Sequence, residues 1–224
     1  MHKAIPGIFL STLVIAGCSS AEEPKPPAAS APPASASAAS AKLRAALLPV
    51  PKGMSVAYGP ELGEFGMLKS TQQGLEAVRK ARAQHPECAG AAQLDAAKPE
   101  VAKSPAAVVA FSAARGSITQ AVVALPKAAF PEPLPKQCAD YTADVGGTKV
   151  TYKTKTLDMP TKGDQSRAYL TTAAGDKNNA QIGSVMIRRG NLVMSMLVVG
   201  QRVKPQGLYE LANLADQNLA RVKP

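Results

Sequence analysis

Tryptophan is absent from this 224-residue chain, aromatic residues make up 4% of it, and histidine occurs twice, once at His2. So few imidazoles leave almost nothing for a multi-histidine metal site or for histidine-dependent catalysis. So few rings also leave few platforms on which nucleic-acid bases could stack. No phosphate-cradling GxxxxGK[ST] run, no HExxH and no GxSxG is present. No apolar run reaches the roughly 20 residues that span a bilayer as a helix. Glu61 and Glu64, like Asp140 and Asp144, are spaced too generically to take acid and base roles, and read as ordinary surface charge. The expectation is a protein that is not an enzyme and uses no metal or cofactor.

What is present begins with charge. Lys and Arg number 26 against 16 Asp and Glu, a formal net charge of +10. Such an excess alone suggests nucleic acid, but the N-terminus points elsewhere. Met1-His2-Lys3 is a short basic start, and residues 4–16 are almost wholly apolar, the length of a signal h-region. The run closes on Ile15-Ala16-Gly17-Cys18, followed by Ser19-Ser20. This resembles the lipobox of bacterial lipoproteins. The resemblance implies cleavage before Cys18 and acylation of its thiol by a diacylglyceryl group, palmitate-type chains holding the protein to the membrane. A plain secretory signal with an incidental Cys18 is the competing reading. Each buried methylene contributes roughly 0.8 kcal/mol, and two chains suffice for stable anchoring. Loss of Lys3 with the leader, residues 1–17, lowers the formal charge from +10 to +9.

Residues 18–42 follow as a tether of Ala, Ser and Pro. Pro24, Pro26, Pro27, Pro32 and Pro33 oppose regular helix and sheet, and the composition cannot bury a core. Extended, the tract reaches about 70 Å. Residues 43–224 then read as one domain. Residues 43–48 form a short apolar helical stretch, and Gly59, Pro60, Gly63 and Gly66 mark an irregular loop. Ser70 or Thr71 caps a helix carrying Leu75, Val78 and Arg82 and ending near Pro86. Residues 87–105 are poorly patterned, a loop with a short helix.

Strands dominate thereafter. Residues 106–112 and 117–125 form one hairpin, and residues 141–145 and 148–157 another around Gly146-Gly147. Residues 166–174 and 180–188 form a third. Gly190-Asn191 opens a last hairpin into residues 192–199, which are continuously apolar and read as a central strand covered on both faces. Residues 127–135 are a proline-broken loop. A last helix over residues 208–222 gathers Leu208, Leu211, Ala212, Ala215, Leu219 and Val222 on one face. The class is α+β: an antiparallel sheet of hairpins with helices on one face, closed by a C-terminal amphipathic helix.

With Cys18 lipidated, Cys88 and Cys138 remain as an even pair in an oxidising compartment, which reads as a disulfide. The competing reading is a redox pair or a cysteine nucleophile beside His85, which precedes Pro86 in a loop with no partner carboxylate indicated. Lys149, Lys153 and Lys155 alternate with Val150 and Tyr152. They form either a solvated sheet face or, joined by Arg188 and Arg189, an anion-binding surface for anionic lipids or cell-wall polymers. Met186, Met194 and Met196 read as core filling, with an adaptable apolar groove as the alternative.

The segment Ser117-Ile118-Thr119-Gln120-Ala121-Val122-Val123-Ala124-Leu125 is followed by Cys138. Further on stand Val185-Met186-Ile187-Arg188-Arg189-Gly190-Asn191-Leu192-Val193 and Leu211-Ala212-Asn213-Leu214-Ala215. Together with the lipobox and tether, these segments resemble actinobacterial, mycobacterial-type cell-envelope lipoproteins and the extracellular sensor domain of PknH-type serine/threonine kinases. One candidate disulfide stands here where that domain has two. The resemblance implies a non-catalytic binding or sensor-like module, exposed to the cell wall, whose partner is a lipid, a wall polymer or an envelope protein rather than nucleic acid. The alternative is a lipid or glycolipid carrier holding an acyl chain between sheet and helices. In the exported protein no thiol should react with an alkylating reagent before reduction and two should react after it, as read by mass; two reactive thiols before reduction would remove the disulfide.

Overall fold

A computed structural model describes residues 34–175 and 179–222. The leader, Cys18 and the first part of the tether lie outside the described residues. The later part of the tether departs from expectation: Ala34–Leu43 is a helix, α1. The prolines stop at Pro33, and the Ala-rich tract beyond it is a good helix former. Ser40 and Leu43 are buried, so the packed domain begins before residue 43. A 3-10 turn, Arg44–Ala46, continues from α1.

Nine antiparallel strands make one sheet in the order β1-β3-β4-β9-β8-β7-β6-β5-β2. They are β1 (Ser55–Glu64), β2 (Arg82–Ala83), β3 (Pro105–Ala113), β4 (Gly116–Ala124), β5 (Asp140–Val145), β6 (Thr148–Leu157), β7 (Gln165–Ala174), β8 (Asn179–Arg189) and β9 (Leu192–Gly200). Helices α2 (Lys69–Lys80), α3 (Pro99–Ala102) and α4 (Pro205–Arg221) complete the regular structure. The four expected hairpins, β3–β4, β5–β6, β7–β8 and β8–β9, and the closing helix are all present, and the class is α+β.

Local signals mislead in two places. Of the residues expected to mark a loop, Gly59, Pro60 and Gly63 lie in β1, which pairs with β3 through register shifts between Val56 and Tyr58 and between Tyr58 and Glu61, and Gly66 lies in the 3-10 turn Phe65–Met67 that follows. β1 is an edge strand, where proline is tolerated, and the bulges absorb the mismatch. Gly59 is required there: a Cβ would stand 2.6 Å from the Val108 carbonyl oxygen, and its φ is 83°. Helix α2 stops at Lys80 rather than near Pro86, because Arg82 and Ala83 pair with Asp144 and Ala143 of β5. Nor does Ser70 or Thr71 cap α2. Leu68 is the residue at its start, and the Ser70 amide and hydroxyl both donate to the Glu61 carboxylate.

The sheet is apolar on both faces at its centre. Ala107, Val109 and Phe111 of β3, Ile118 and Val122 of β4, and Met194 and Met196 of β9 pack with Leu43, Leu208, Ala212 and Leu219 beneath α1 and α4. The alternate residues Ala106, Val108, Ala121, Val123 and Val193 pack on the opposite face with Phe65, Leu68, Leu94 and Val101. Helices α1 and α4 thus share one face. A second, smaller cover lies on the other face, with Leu75 of α2 packed against its margin.

Residues 46–48 carry no ladder hydrogen bonds, yet they are buried between sheet and α4. The Leu48 amide donates to Gln120 Oε1 at 2.7 Å, and Gln120 Nε2 donates to the Ala46 carbonyl. Asn218 Nδ2 donates to the Leu47 carbonyl at 3.0 Å. Gln120 has no solvent exposure, so water cannot replace it. Gln120→Leu leaves the Leu48 amide unpaired and is expected to cost about 2 kcal/mol, lowering Tm by roughly 4–8 °C in a domain of this size; thermal unfolding of the two proteins measures it.

Candidate ligand cleft

The face opposite α1 and α4 is incompletely covered. A cleft of about 950 Å³ opens there, within the range of small-molecule sites. Cross-strand register builds its floor. Tyr58, Ala110, Thr119 and Leu197 form one row, and Val108, Ala121 and Ser195 form the next. One wall is α2, with Thr71, Leu75 and Val78; another is the irregular segment 86–98; one end is closed by Pro131, Pro133 and Pro135. The floor is apolar with three hydroxyls, those of Tyr58, Thr119 and Ser195, and the charged lining is mixed: Arg79 and Lys98 against Glu87, Asp95 and Glu132.

The disulfide joins Cys88 and Cys138, as the sequence suggested. Cys88 ends the 3-10 turn Pro86–Cys88 and Cys138 lies in Lys136–Ala139. It therefore ties the roof of the cleft to the proline-rich segment that closes its end. His85 Nδ1 stands 3.6 Å from Glu87 Oε1, beside a cystine rather than a free thiol. The Glu87 carboxyl is held below its usual range by its own backbone amide first and by Gln137 second. That is the reverse of what a general acid needs. Among the described residues, no group of three or more His, Cys, Asp or Glu could hold a metal ion.

A second hollow of about 310 Å³ lies farther across the same face, lined by Thr154, Thr156, Arg167 and Tyr169 and by residues 133–136 and Ala139. Beyond it Tyr141 and Tyr152 stack with ring centroids 5.0 Å apart. Burial raises the pKa of both phenols, and in Tyr141 the neighbouring Tyr152 adds to it.

The candidate anion surface is not gathered in one place. Lys149, Lys153 and Lys155 project from β6 on the α4 side of the sheet, and Lys153 lies 3.5 Å from Asp140. Arg188 points to the cleft side and donates to Asp164, Gln165 and the Gly190 carbonyl. Arg189 points to the α4 side and makes a two-bond pair with Asp216, at 2.7 and 3.0 Å. Along β7, Arg188 is level with Gln165 and Lys155 with Leu170, about 17 Å apart in strand rise. Met186, Met194 and Met196 are almost wholly buried, and none of them lines a groove.

The cleft itself was not anticipated from the residues. Its roof lies in the poorly patterned residues 87–105, and its floor residues read as ordinary strand. The available signal was the alternation in β3 and β4, apolar at both parities, which demands a second cover.

No family model and no curated protein matches this chain in sequence. Among solved structures it is similar to an uncharacterized protein from Mycobacterium smegmatis, the Rv0999 ortholog, at 12% identity over 81% of this chain and 94% of that one, TM-score 0.46. It is also similar to the extracellular domain of PknH from Mycobacterium tuberculosis, at 14% identity over 78% and 80%, TM-score 0.39. Likeness of this degree transfers no residue and no activity. Among the described residues, no helix is long and apolar enough to cross a membrane.

Replacing both cysteines, Cys88→Ser with Cys138→Ser, frees a loop spanning 50 residues. The expected loss is about 4 kcal/mol in the chain-entropy account, less any strain relieved, as a lower denaturation midpoint in urea.

Proposed function

We propose that this chain is a lipid-anchored extracytoplasmic binding or sensor-like module of the cell envelope, non-catalytic, which holds its ligand in the cleft opposite α1 and α4. The cleft carries this reading: it is the place where the sheet offers apolar floor, hydroxyls and space together. The mixed charge of its lining favours an uncharged or charge-balanced ligand over a polyanion. Anchoring through Cys18, and contact of the lysine side of β6 with anionic lipids or wall polymers, belong to the same proposal as the features that orient the module.

A carrier that holds an acyl chain is a second reading, favoured by the apolar floor at Val108, Ala121 and Leu197. Its chain would lie on the cleft face, because the space between the sheet and α4 is filled: Leu208, Ala212, Ala215 and Leu219 are at most 1% exposed.

Thr119, half-buried on the floor of the cleft, separates this reading from a surface site. Protein extracted natively from the envelope is expected to carry a small molecule, seen by mass spectrometry of what it releases. Thr119→Phe should abolish that cargo with Tm little changed, whereas Lys153→Glu with Lys155→Glu should retain it. Loss in the lysine variant and retention in Thr119→Phe would move the site to β6.

A further inference from the structure

The two hollows on the cleft face are separated by one thin piece of chain. Within residues 131–135, Pro133 and Pro135 line both, Pro131 and Glu132 line the cleft, and Leu134 lines the second hollow. The cleft ends on Ser195 and Leu197 of β9, and the second hollow begins at Arg167 and Tyr169 of β7. The strap therefore lies over β8, between them in the sheet. On that face β8 presents Ser184 and Met186, level with Leu197 and Ser195 on one side and with Tyr169 and Arg167 on the other. Both are buried, at 2% and 1%.

The strap's hold on the sheet is slight. Pro131, Pro133 and Pro135 have no amide to donate. The Leu134 amide donates to the Tyr169 hydroxyl at 3.1 Å, and Arg167 donates to the Pro131 carbonyl at 2.9 Å. The Arg167 guanidinium also lies over the Phe130 ring, 5.1 Å from its centroid. Two side chains of one strand, with no backbone ladder, hold it to the sheet. Beneath it the Ser184 hydroxyl is buried with no hydrogen-bond partner, a group that gains hydrogen bonds once the cover lifts. Segments held this way belong to the low-stability end of a fold.

We propose that residues 131–135 form a movable strap whose release from Arg167 and Tyr169 joins the two hollows into one trough across the sheet. From β1 to β6 that trough crosses six inter-strand spacings, about 29 Å. Its length suits an extended chain molecule lying across the strands; that part alone rests on the cleft being the ligand site. The strap pivots at its Cys138 end, where the disulfide to Cys88 fixes it.

The test reads the strap and not the ligand. In the chain with Cys18→Ser, Ser184→Cys supplies a single free thiol beneath the strap, and its reaction with 5,5′-dithiobis(2-nitrobenzoic acid) is timed. Tyr169→Phe removes the acceptor of the Leu134 amide, and Arg167→Ala removes the donor to Pro131. Each is expected to raise the labelling rate about tenfold without denaturant dependence, while far-UV circular dichroism is unchanged. A rate that tracks global unfolding in urea in all three proteins would overturn the strap. Hydrogen exchange at the Leu134 amide gives an independent reading on the chain without the Ser184 change. It should accelerate in Arg167→Ala, and exchange no faster than in the unmodified chain overturns the proposal equally. Loss of cargo in Thr119→Phe bears only on the cleft, so the two ideas fail separately.

Discussion

The strands β3, β4 and β9 are apolar at both side-chain parities, and everything else in the fold answers to that. A strand with one wet face needs one cover; a strand with two dry faces needs two. The C-terminal third of the chain supplies one cover cheaply, with α4 carrying small and branched residues at helical spacing. The second cover has to be assembled from the short segments between β1 and β3 and from the loop after β4. None of these is a long helix with a continuous apolar stripe. The second face is consequently sealed only in part, and the unsealed part is the cleft.

That asymmetry explains where the covalent and polar fastenings fall. On the α4 side, packing over a large area fixes the parts; Arg189 and Asp216 add one ion pair between β8 and α4, and Gln120 and Asn218 serve the non-helical backbone that passes through the core. On the cleft side little apolar area holds the roof. Covalent closure takes the place of packing, and Cys88–Cys138 links two segments that would otherwise diffuse apart in partial unfolding. Arg167 and Tyr169 supplement it with two directional contacts. The cover on this side is thus loosely packed but covalently limited.

Much of the sheet was legible because its hairpins are local. Gly146-Gly147 sits in a two-residue turn with φ of 61° and 83°, and each of the four expected hairpins pairs neighbours in sequence. The amphipathic period of α4 was equally plain. What local pattern could not supply was pairing at a distance. Gly59 and Pro60 read as loop until β3 holds β1 against it, and residues 82–83 read as helix until β5 claims them. The Ala/Pro/Ser tract has one composition but two behaviours: up to Pro33 proline opposes helix, and beyond it alanine favours the helix Ala34–Leu43. The cleft is less legible still. It is a shortage of cover, and a shortage has no residue signature of its own.

The positive excess takes a different meaning once residues are placed. Lys149, Lys153 and Lys155 stand on the α4 side of the sheet, away from the cleft, and Arg188 and Arg189 are engaged by Asp164 and Asp216. The cleft has three carboxylates and two cations in its lining. A field that falls off within about 10 Å at moderate salt therefore acts at the lysine side and leaves the cleft nearly neutral. Charge and cavity are thus separate devices on opposite faces. The lysine side carries the field, and the cleft offers shape and apolar contact with little net charge.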